Sequence, residues 1–77
     1  MSDDAVPDAV AQLALRDRFP PAKAWRTHLG LTQAEVAGRM GITQGAYAQL
    51  EASENLRKSS RAKIAAALGI TDAQIDF

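Results

Sequence analysis

Glutamine side chains recur in the central part of the chain, at Gln33, Gln44 and Gln49. An amide carries both a hydrogen-bond donor and an acceptor, so a glutamine can bond to the N6 and N7 atoms of adenine in the DNA major groove. The more ordinary alternative is that these glutamines are solvated polar residues at the starts and surfaces of helices. The choice between the two depends on the elements that carry them.

The residue types that catalysis and metal binding require are scarce. The chain has no cysteine and a single histidine, His28, which excludes disulfides, thiolate metal sites and any site built from several histidines. Neither a nucleophile beside a base nor a pair of carboxylates suited to general acid–base work is evident. We therefore expect no enzyme, no cofactor and no metal site, and a reducing compartment such as the cytoplasm.

Length and composition predict one small all-α domain. The 77 residues suffice for a single core, which buries only roughly 60% of the surface that the unfolded chain exposes. Sixteen residues are alanine, the best helix former, whereas Val, Ile and Thr together number eleven, too few for a sheet. No run approaches the roughly 18 apolar residues of a membrane span, and the acidic Asp3 and Asp4 do not suit a secretory signal.

A short signal of glycine, an aliphatic residue and threonine occurs three times, at 30–32, 41–43 and 69–71. Glycine in this place is typical of a left-handed helix C-cap, and threonine of the N-cap of the next helix. Glu35 and Gln74 each stand three residues after such a threonine, which predicts two capping boxes. Tight turns are therefore expected at all three places.

These signals, together with the helical spacing of apolar residues, predict helices at about 7–18, 21–29, 33–40, 44–52, 61–68 and 72–76. Residues 53–59 are expected to form a polar loop, with Ser60 as the cap of the fifth helix. We predict an N-terminal helical extension over 1–20, which packs on the core or supplies a dimer or partner surface, and the main domain over 21–77. The side chains expected in the core include Val10, Trp25, Leu29, Tyr47, Ile75 and Phe77.

The two central helices, 33–40 and 44–52, and the turn between them have the pattern of a helix-turn-helix. Other segments agree with it in order and spacing: Leu29-Gly30-Leu31-Thr32-Gln33-Ala34-Glu35-Val36-Ala37, Met40-Gly41-Ile42-Thr43-Gln44, Gln49-Leu50-Glu51 and Lys63-Ile64-Ala65-Ala66-Ala67-Leu68-Gly69-Ile70. Over roughly residues 22–75 the chain thus resembles the Cro/phage-repressor, or Xre-type, helix-turn-helix family. The resemblance implies a compact five-helix fold like that of the lambda repressor, here with an extra N-terminal helical segment.

The resemblance also implies which residues contact DNA. Base contacts are implied for Thr43, Gln44, Gly45 and Gln49, and contacts to the sugar-phosphate backbone for Thr32, Gln33, Asn55, Arg57, Lys58, Ser59 and Arg61. Basic and hydroxyl side chains suit phosphates, although a run of solvated charge is the ordinary alternative. Gly45 departs from the family pattern, because it removes a base-reading side chain and costs roughly 1 kcal/mol of helix propensity.

Arg26 and Glu51 stand where the family has a buried ion pair that ties its first core helix to the end of the recognition helix. The resemblance therefore implies a structural role for them rather than DNA contact or catalysis. Removing one partner of such a pair leaves the other charge buried and uncompensated, so loss of Glu51 is expected to destabilise the fold.

One domain of this size makes few contacts, so specific binding of a DNA operator is expected to need a homodimer on a two-fold site. We expect a cytoplasmic transcriptional repressor, bacterial or phage-encoded. The segments 24–33 and 46–52 resemble those of small helix-turn-helix antitoxins, which repress their own operon and bind a toxin protein encoded beside them. Two alternatives stay open: a free-standing regulator of a phage or mobile element, and a protein–protein interaction module that keeps the fold without binding DNA.

Nine basic and nine acidic residues balance in the whole chain, which at first argues against a nucleic-acid partner. The charges are segregated, however. All nine Lys and Arg lie within residues 16–63 beside four acidic residues, a balance of +5, and the other five acidic residues lie in 1–8 and 64–77. The basic middle coincides with the predicted helix-turn-helix, so zero net charge is compatible with DNA binding and predicts weak non-specific affinity.

Overall fold

Six α-helices follow one another in this computed structural model, which describes residues 5–53 and 56–76, and no strand forms within those ranges. The helices are α1 (Asp8–Leu15), α2 (Pro21–Leu29), α3 (Gln33–Met40), α4 (Gln44–Ala52), α5 (Lys58–Leu68) and α6 (Asp72–Ile75). The all-α prediction is confirmed, and α2, α3 and α4 have the predicted bounds. Within the described ranges, no helix has the length and apolar character needed to cross a membrane.

Glycines end three of these helices. Gly41, which follows α3, has φ 71° and ψ 29°, and its N–H donates back into the last turn of the helix. A side chain in this left-handed conformation would crowd its own backbone, so glycine is favoured there. Ile42 then donates to the Ala37 carbonyl at 3.0 Å, and the chain turns into α4. Gly30 and Gly69 have the same conformation after α2 and α5, as the sequence predicted.

Threonines begin the helices that follow these turns. The Thr32 hydroxyl accepts from the Glu35 N–H at 3.1 Å, and the Glu35 carboxylate accepts from the Thr32 N–H at 3.1 Å. Thr71 and Gln74 make the same reciprocal pair at α6, so both predicted capping boxes are confirmed. Thr43 caps α4 by accepting from a backbone N–H of its first turn.

The core draws side chains from every helix. Val10, Val36, Tyr47, Ile64 and Ile75 are fully or almost fully buried and come from α1, α3, α4, α5 and α6. Trp25 of α2 is buried beside them, and its indole N–H donates to the Gln74 carbonyl at 2.8 Å, which ties α2 to α6. This shared core fixes α3 and α4 relative to the rest of the molecule.

The first helix belongs to the same core and is shorter than predicted. Val10 has no exposed surface, whereas Leu15, at the end of α1, is 81% exposed. The helix ends at Leu15 rather than near residue 18, and beyond that end Arg18 takes a left-handed conformation, with φ 56°. The Phe19 N–H donates back to the Leu13 carbonyl at 3.1 Å, and the chain then turns into α2.

The fifth helix begins earlier than the sequence predicted. α5 starts at Lys58, and Ser60 lies inside the helix rather than capping it. Arg57 takes the extended N-cap conformation, and its carbonyl accepts from the Arg61 N–H at 3.0 Å. Residues 58–60 include neither glycine nor proline, the two residue types that oppose a helix most strongly, so an extra turn of helix can form there.

Leu29 is the clearest error among the predicted core residues. Leu29 is 41% exposed, whereas Leu31, which follows the turn at Gly30, packs against the core. Trp25, Tyr47 and Ile75 are buried as expected. Phe77 lies outside the described residues.

Candidate nucleic-acid interface

The helices α3 and α4 pack against each other across the turn Gly41-Ile42-Thr43. Val36 in α3 and Tyr47 in α4 are fully buried, and Ile42 between them packs against the core. Burial of this side of α4 leaves its opposite side facing water.

The exposed side of α4 is polar or small at its N-terminal end. Gln44, Gly45, Ala46 and Gln49 are all exposed. A Cβ added at Gly45 would meet nothing within 4 Å, so the surface there is open. Thr43 is exposed as well, but its hydroxyl oxygen accepts from the Ala46 N–H at 3.2 Å and so serves as the helix cap. The four residues expected to contact bases therefore share the solvent side of α4 and its cap.

Four side chains form a continuous hydrogen-bond chain from the core to this surface. Arg26 donates from Nε and Nη2 to Oε2 and Oε1 of Glu51 at 2.7 and 3.0 Å. Gln33 Nε2 donates to the same Glu51 Oε1 at 3.2 Å. Gln44 Nε2 in turn donates to Gln33 Oε1 at 3.4 Å. Gln33 thus connects the buried ion pair to the exposed glutamine at the start of α4.

The ion pair between Arg26 and Glu51 joins α2 to the end of α4. Their side chains are 14% and 4% exposed. The remaining guanidinium nitrogen, Nη1 of Arg26, donates to the Leu31 carbonyl at 2.9 Å. Both charges therefore have a charged partner and further hydrogen bonds, which a pair withdrawn from water requires.

The surroundings of Glu51 act on its pKa in opposite directions. Burial opposes ionisation and raises the pKa of Glu51. The hydrogen bonds from Arg26, together with the nearby Tyr47 and Gln33, lower it by more, so the pKa lies below its ordinary value of 4.5. The same pairing raises the pKa of Arg26, chiefly through its hydrogen bonds to Glu51. At neutral pH Glu51 is therefore a carboxylate, which only accepts hydrogen bonds.

The hydroxyl of Tyr47 lies buried beside this ion pair, where the sequence predicted only an apolar core position. Burial raises the pKa of Tyr47, and the neighbouring Glu51 carboxylate raises it further, so the phenol stays neutral. Among the described residues, none meets the distance and angles of a hydrogen bond to the Tyr47 oxygen. Arg26 and Gln33 donate to the Glu51 carboxylate, and the buried Tyr47 hydroxyl lies beside it.

The basic residues expected at the DNA backbone lie at the start of α5. Arg57, Lys58 and Ser59 are exposed at its N-cap and first turn, instead of in a loop as predicted. No described side chain caps this helix, so the backbone N–H groups of its first turn are available to an anion. Asn55, also expected at the backbone, lies outside the described residues.

The other residues expected at the DNA backbone already have partners in the free protein. Thr32 uses its hydroxyl to cap α3, and Gln33 is half-buried within the hydrogen-bond chain. Arg61 donates to Asp76 at 2.8 Å, with side chains 34% and 67% exposed. An exposed pair of this kind contributes little, so Arg61 would exchange partners at small cost on meeting a phosphate.

The bonds of Gln33 were missed by sequence reasoning. Its partners Glu51 and Gln44 are 18 and 11 residues away, and no periodicity or motif relates an amide to side chains at those distances. Arg39 likewise donates to the Ala67 carbonyl at 3.0 Å, which ties α3 to α5. Within the described part of the chain, no group of three or more His, Cys, Asp or Glu side chains is arranged to hold a metal ion.

Comparison with known protein families gives a match over most of the chain. A family model described as helix-turn-helix matches residues 23–75, more than half of the chain. The matched region runs from within α2 to the end of α6 and leaves α1 outside it. No curated protein and no solved structure matches the chain significantly.

Proposed function

This chain belongs to the Cro/C1-type helix-turn-helix family, and on that premise we propose that it is a sequence-specific transcriptional regulator that reads an operator through α4. The family is one of DNA-binding regulatory domains and not of enzymes. The observation that carries the proposal is the position of Gln44, which is exposed at the start of α4 and held there by Gln33.

The amide of Gln44 suits an adenine. One of its N–H groups is donated to Gln33, which leaves the other N–H and the carbonyl oxygen for a base. These two groups match the N7 acceptor and the N6 donor of adenine in the major groove. The exposed Gln49 adds a second amide on the same helix, and the open surface at Gly45 leaves room for a base edge or thymine methyl. Thr43 completes the group of base contacts that we infer.

Contacts to the DNA backbone are proposed for residues that precede α4 in the chain and for residues that follow it. Arg57, Lys58 and Ser59 offer charge and hydroxyl groups beside the uncapped N-terminus of α5, a combination that suits phosphate. Contacts are inferred in addition for Thr32, Gln33, Asn55 and Arg61. These contacts set the register of α4 and carry no base preference of their own.

The regulator is proposed to act as a homodimeric repressor, because one small domain contacts too few bases for a specific operator. The more specific proposal is an autoregulating antitoxin, supported by the resemblance of segments 24–33 and 46–52 to small helix-turn-helix antitoxins. Co-expression with the adjacent open reading frame tests it. An antitoxin co-purifies with that neighbour and neutralises its toxicity, whereas a regulator of a phage or mobile element does neither.

The test of base reading is selection of binding sites from a pool of random-sequence DNA duplexes. The wild-type chain is expected to enrich an adenine at one position of the site. In Gln44→Ala, the free energy of discrimination between adenine and the other bases at that position is expected to fall by about 1–3 kcal/mol. The matched control is Gln12→Ala, which removes an exposed glutamine from α1 and leaves the preference intact. An unchanged preference in Gln44→Ala would show that another residue reads the base.

The test of the backbone contacts is affinity as a function of salt. Arg57→Ala is expected to weaken binding to selected and to random duplexes equally and to reduce the salt dependence by about one phosphate contact. Arg16→Ala, which removes an exposed arginine after α1, is the matched control. A protein–protein interaction module that does not bind DNA would shift no duplex at any salt concentration.

A further inference from the structure

We propose that Glu51 is a positioning residue for base reading, because it sets the orientation of the Gln44 amide through Gln33. This inference rests on the proposed function, since it concerns the same helix and the same base contact. It gives the buried ion pair a second role beyond holding α2 to α4.

The first step is the chemistry of the buried carboxylate. Glu51 is almost fully buried and held on both oxygens by Arg26, at 2.7 and 3.0 Å. An ionised carboxylate has acceptors only. Any amide that meets it must therefore present its nitrogen, because an amide oxygen would face a negative charge.

The second step concerns the orientation of the Gln33 side-chain amide. A glutamine amide can ordinarily exchange its oxygen and nitrogen by turning over. Here Gln33 Nε2 donates to Glu51 Oε1 at 3.2 Å, which fixes the amide nitrogen on the side of the core. Gln33 Oε1 then necessarily faces the surface, where it meets Gln44.

The third step concerns the orientation of the exposed Gln44 amide. Because Gln33 presents an oxygen, Gln44 must present its nitrogen, and the two atoms lie 3.4 Å apart. Gln44 is exposed, so water alone would leave both orientations of its amide equally open. Its contact with Gln33 selects one of these orientations and so fixes which side of the exposed amide carries the remaining N–H and which carries the carbonyl oxygen. Adenine presents its N7 acceptor and its N6 donor in a fixed order, so the order in which the Gln44 amide offers its two groups sets how it meets the base.

Substitution of the carboxylate by an amide of the same shape tests the proposal. In Glu51→Gln, the new amide offers Gln33 both a donor and an acceptor. Gln33 can then face it with either its nitrogen or its oxygen, so the orientation of Gln44 is no longer selected. In site selection from random duplexes, we expect the preference for adenine over other bases to fall about tenfold. Asp17→Asn, which neutralises an exposed carboxylate, is the matched control and retains the wild-type preference.

A double variant separates positioning from simple destabilisation. Gln33→Met removes the connection without altering the ion pair, and it too is expected to lower the adenine preference. If Glu51 acts through Gln33, adding Glu51→Gln to Gln33→Met lowers the preference no further. Effects that multiply in the double variant, or a wild-type preference in Glu51→Gln, overturn the proposal. All selections are made well below the unfolding midpoint of each variant, so that every chain compared is folded.

The free protein provides a readout that needs no DNA. The side-chain amide NMR signals of Gln44 are expected to shift in Glu51→Gln, because hydrogen bonds link Glu51 to Gln44 through Gln33. Those of the exposed Gln12 stay unchanged. Unshifted Gln44 signals overturn the inference while leaving the proposed function standing. A wild-type chain that selects no DNA sequence overturns the proposed function, and with it any role of Glu51 in base reading, even where the Gln44 signals shift.

Discussion

Arg26 and Glu51 carry their charges in a part of the molecule that water barely reaches. With the Glu51 side chain 4% exposed, Glu51→Ala would leave the guanidinium buried without its partner. We expect the free energy of unfolding to fall by about 3 kcal/mol, as measured by urea denaturation. Asp76→Ala breaks the exposed pair with Arg61 and is expected to cost less than about 1 kcal/mol. An unfolding midpoint in Glu51→Ala equal to that of the wild type would contradict a structural role for the pair.

The same residue makes stability depend on pH in the acid range. The pKa of Glu51 is lower in the folded protein than its ordinary value of 4.5, so the unfolded chain binds the proton more tightly. The contribution of the pair is therefore complete above the ordinary value and is lost as pH falls through the folded-state pKa. We expect the difference in melting temperature between the wild type and Glu51→Gln to shrink as pH is lowered from about 6 to about 3. A difference that stays constant over this range would argue against an ionised Glu51 as the source of stability.

At the scale of elements, α3 has one glycine inside it and another directly after it, and the two have opposite requirements. Gly41 ends the helix at φ 71°, whereas Gly38 lies inside it, with open space where a Cβ would stand. Gly41→Ala is expected to lower the free energy of unfolding by about 1–2 kcal/mol, because alanine is strained in the left-handed conformation. Gly38→Ala is expected to raise it by about 0.5–1 kcal/mol through helix propensity. Urea denaturation measures the effect of the same glycine-to-alanine change at the two positions. If the free energy of unfolding changed with the same sign in both variants, this account of the turn would be refuted.

At the scale of the whole molecule, α1 is part of the core, although the family match begins after it. Val10 has no exposed surface, so Val10→Ala is expected to lower the free energy of unfolding by about 2 kcal/mol through lost burial and the cavity left behind. Leu15, in the same helix, is 81% exposed, and Leu15→Ala is expected to leave stability nearly unchanged. Thermal and urea unfolding of the two variants measure this contrast. A neutral Val10→Ala would mean that α1 does not fold together with the rest.

Much of the fold was predictable because its signals are local. The left-handed turn at Gly41 and the capping boxes at Thr32 and Thr71 involve atoms within a few residues of one another. Such bonds depend on residue type and spacing, which the sequence displays directly. The start of α5 was predicted wrongly for a related reason. Ser60 has the side chain of a cap, but local propensity allows an earlier start at Lys58 equally well.

By itself, then, the sequence determined where most helices begin and end, that Trp25 and Tyr47 lie inside, and which family the chain resembles. Only the tertiary structure decided the partners of the polar side chains. Glu51 meets Gln33 at 3.2 Å and Gln33 meets Gln44 at 3.4 Å only after α2, α3 and α4 have packed. The physical reason is that helix caps are closed by the backbone of a single turn, whereas these contacts depend on how three helices share one core.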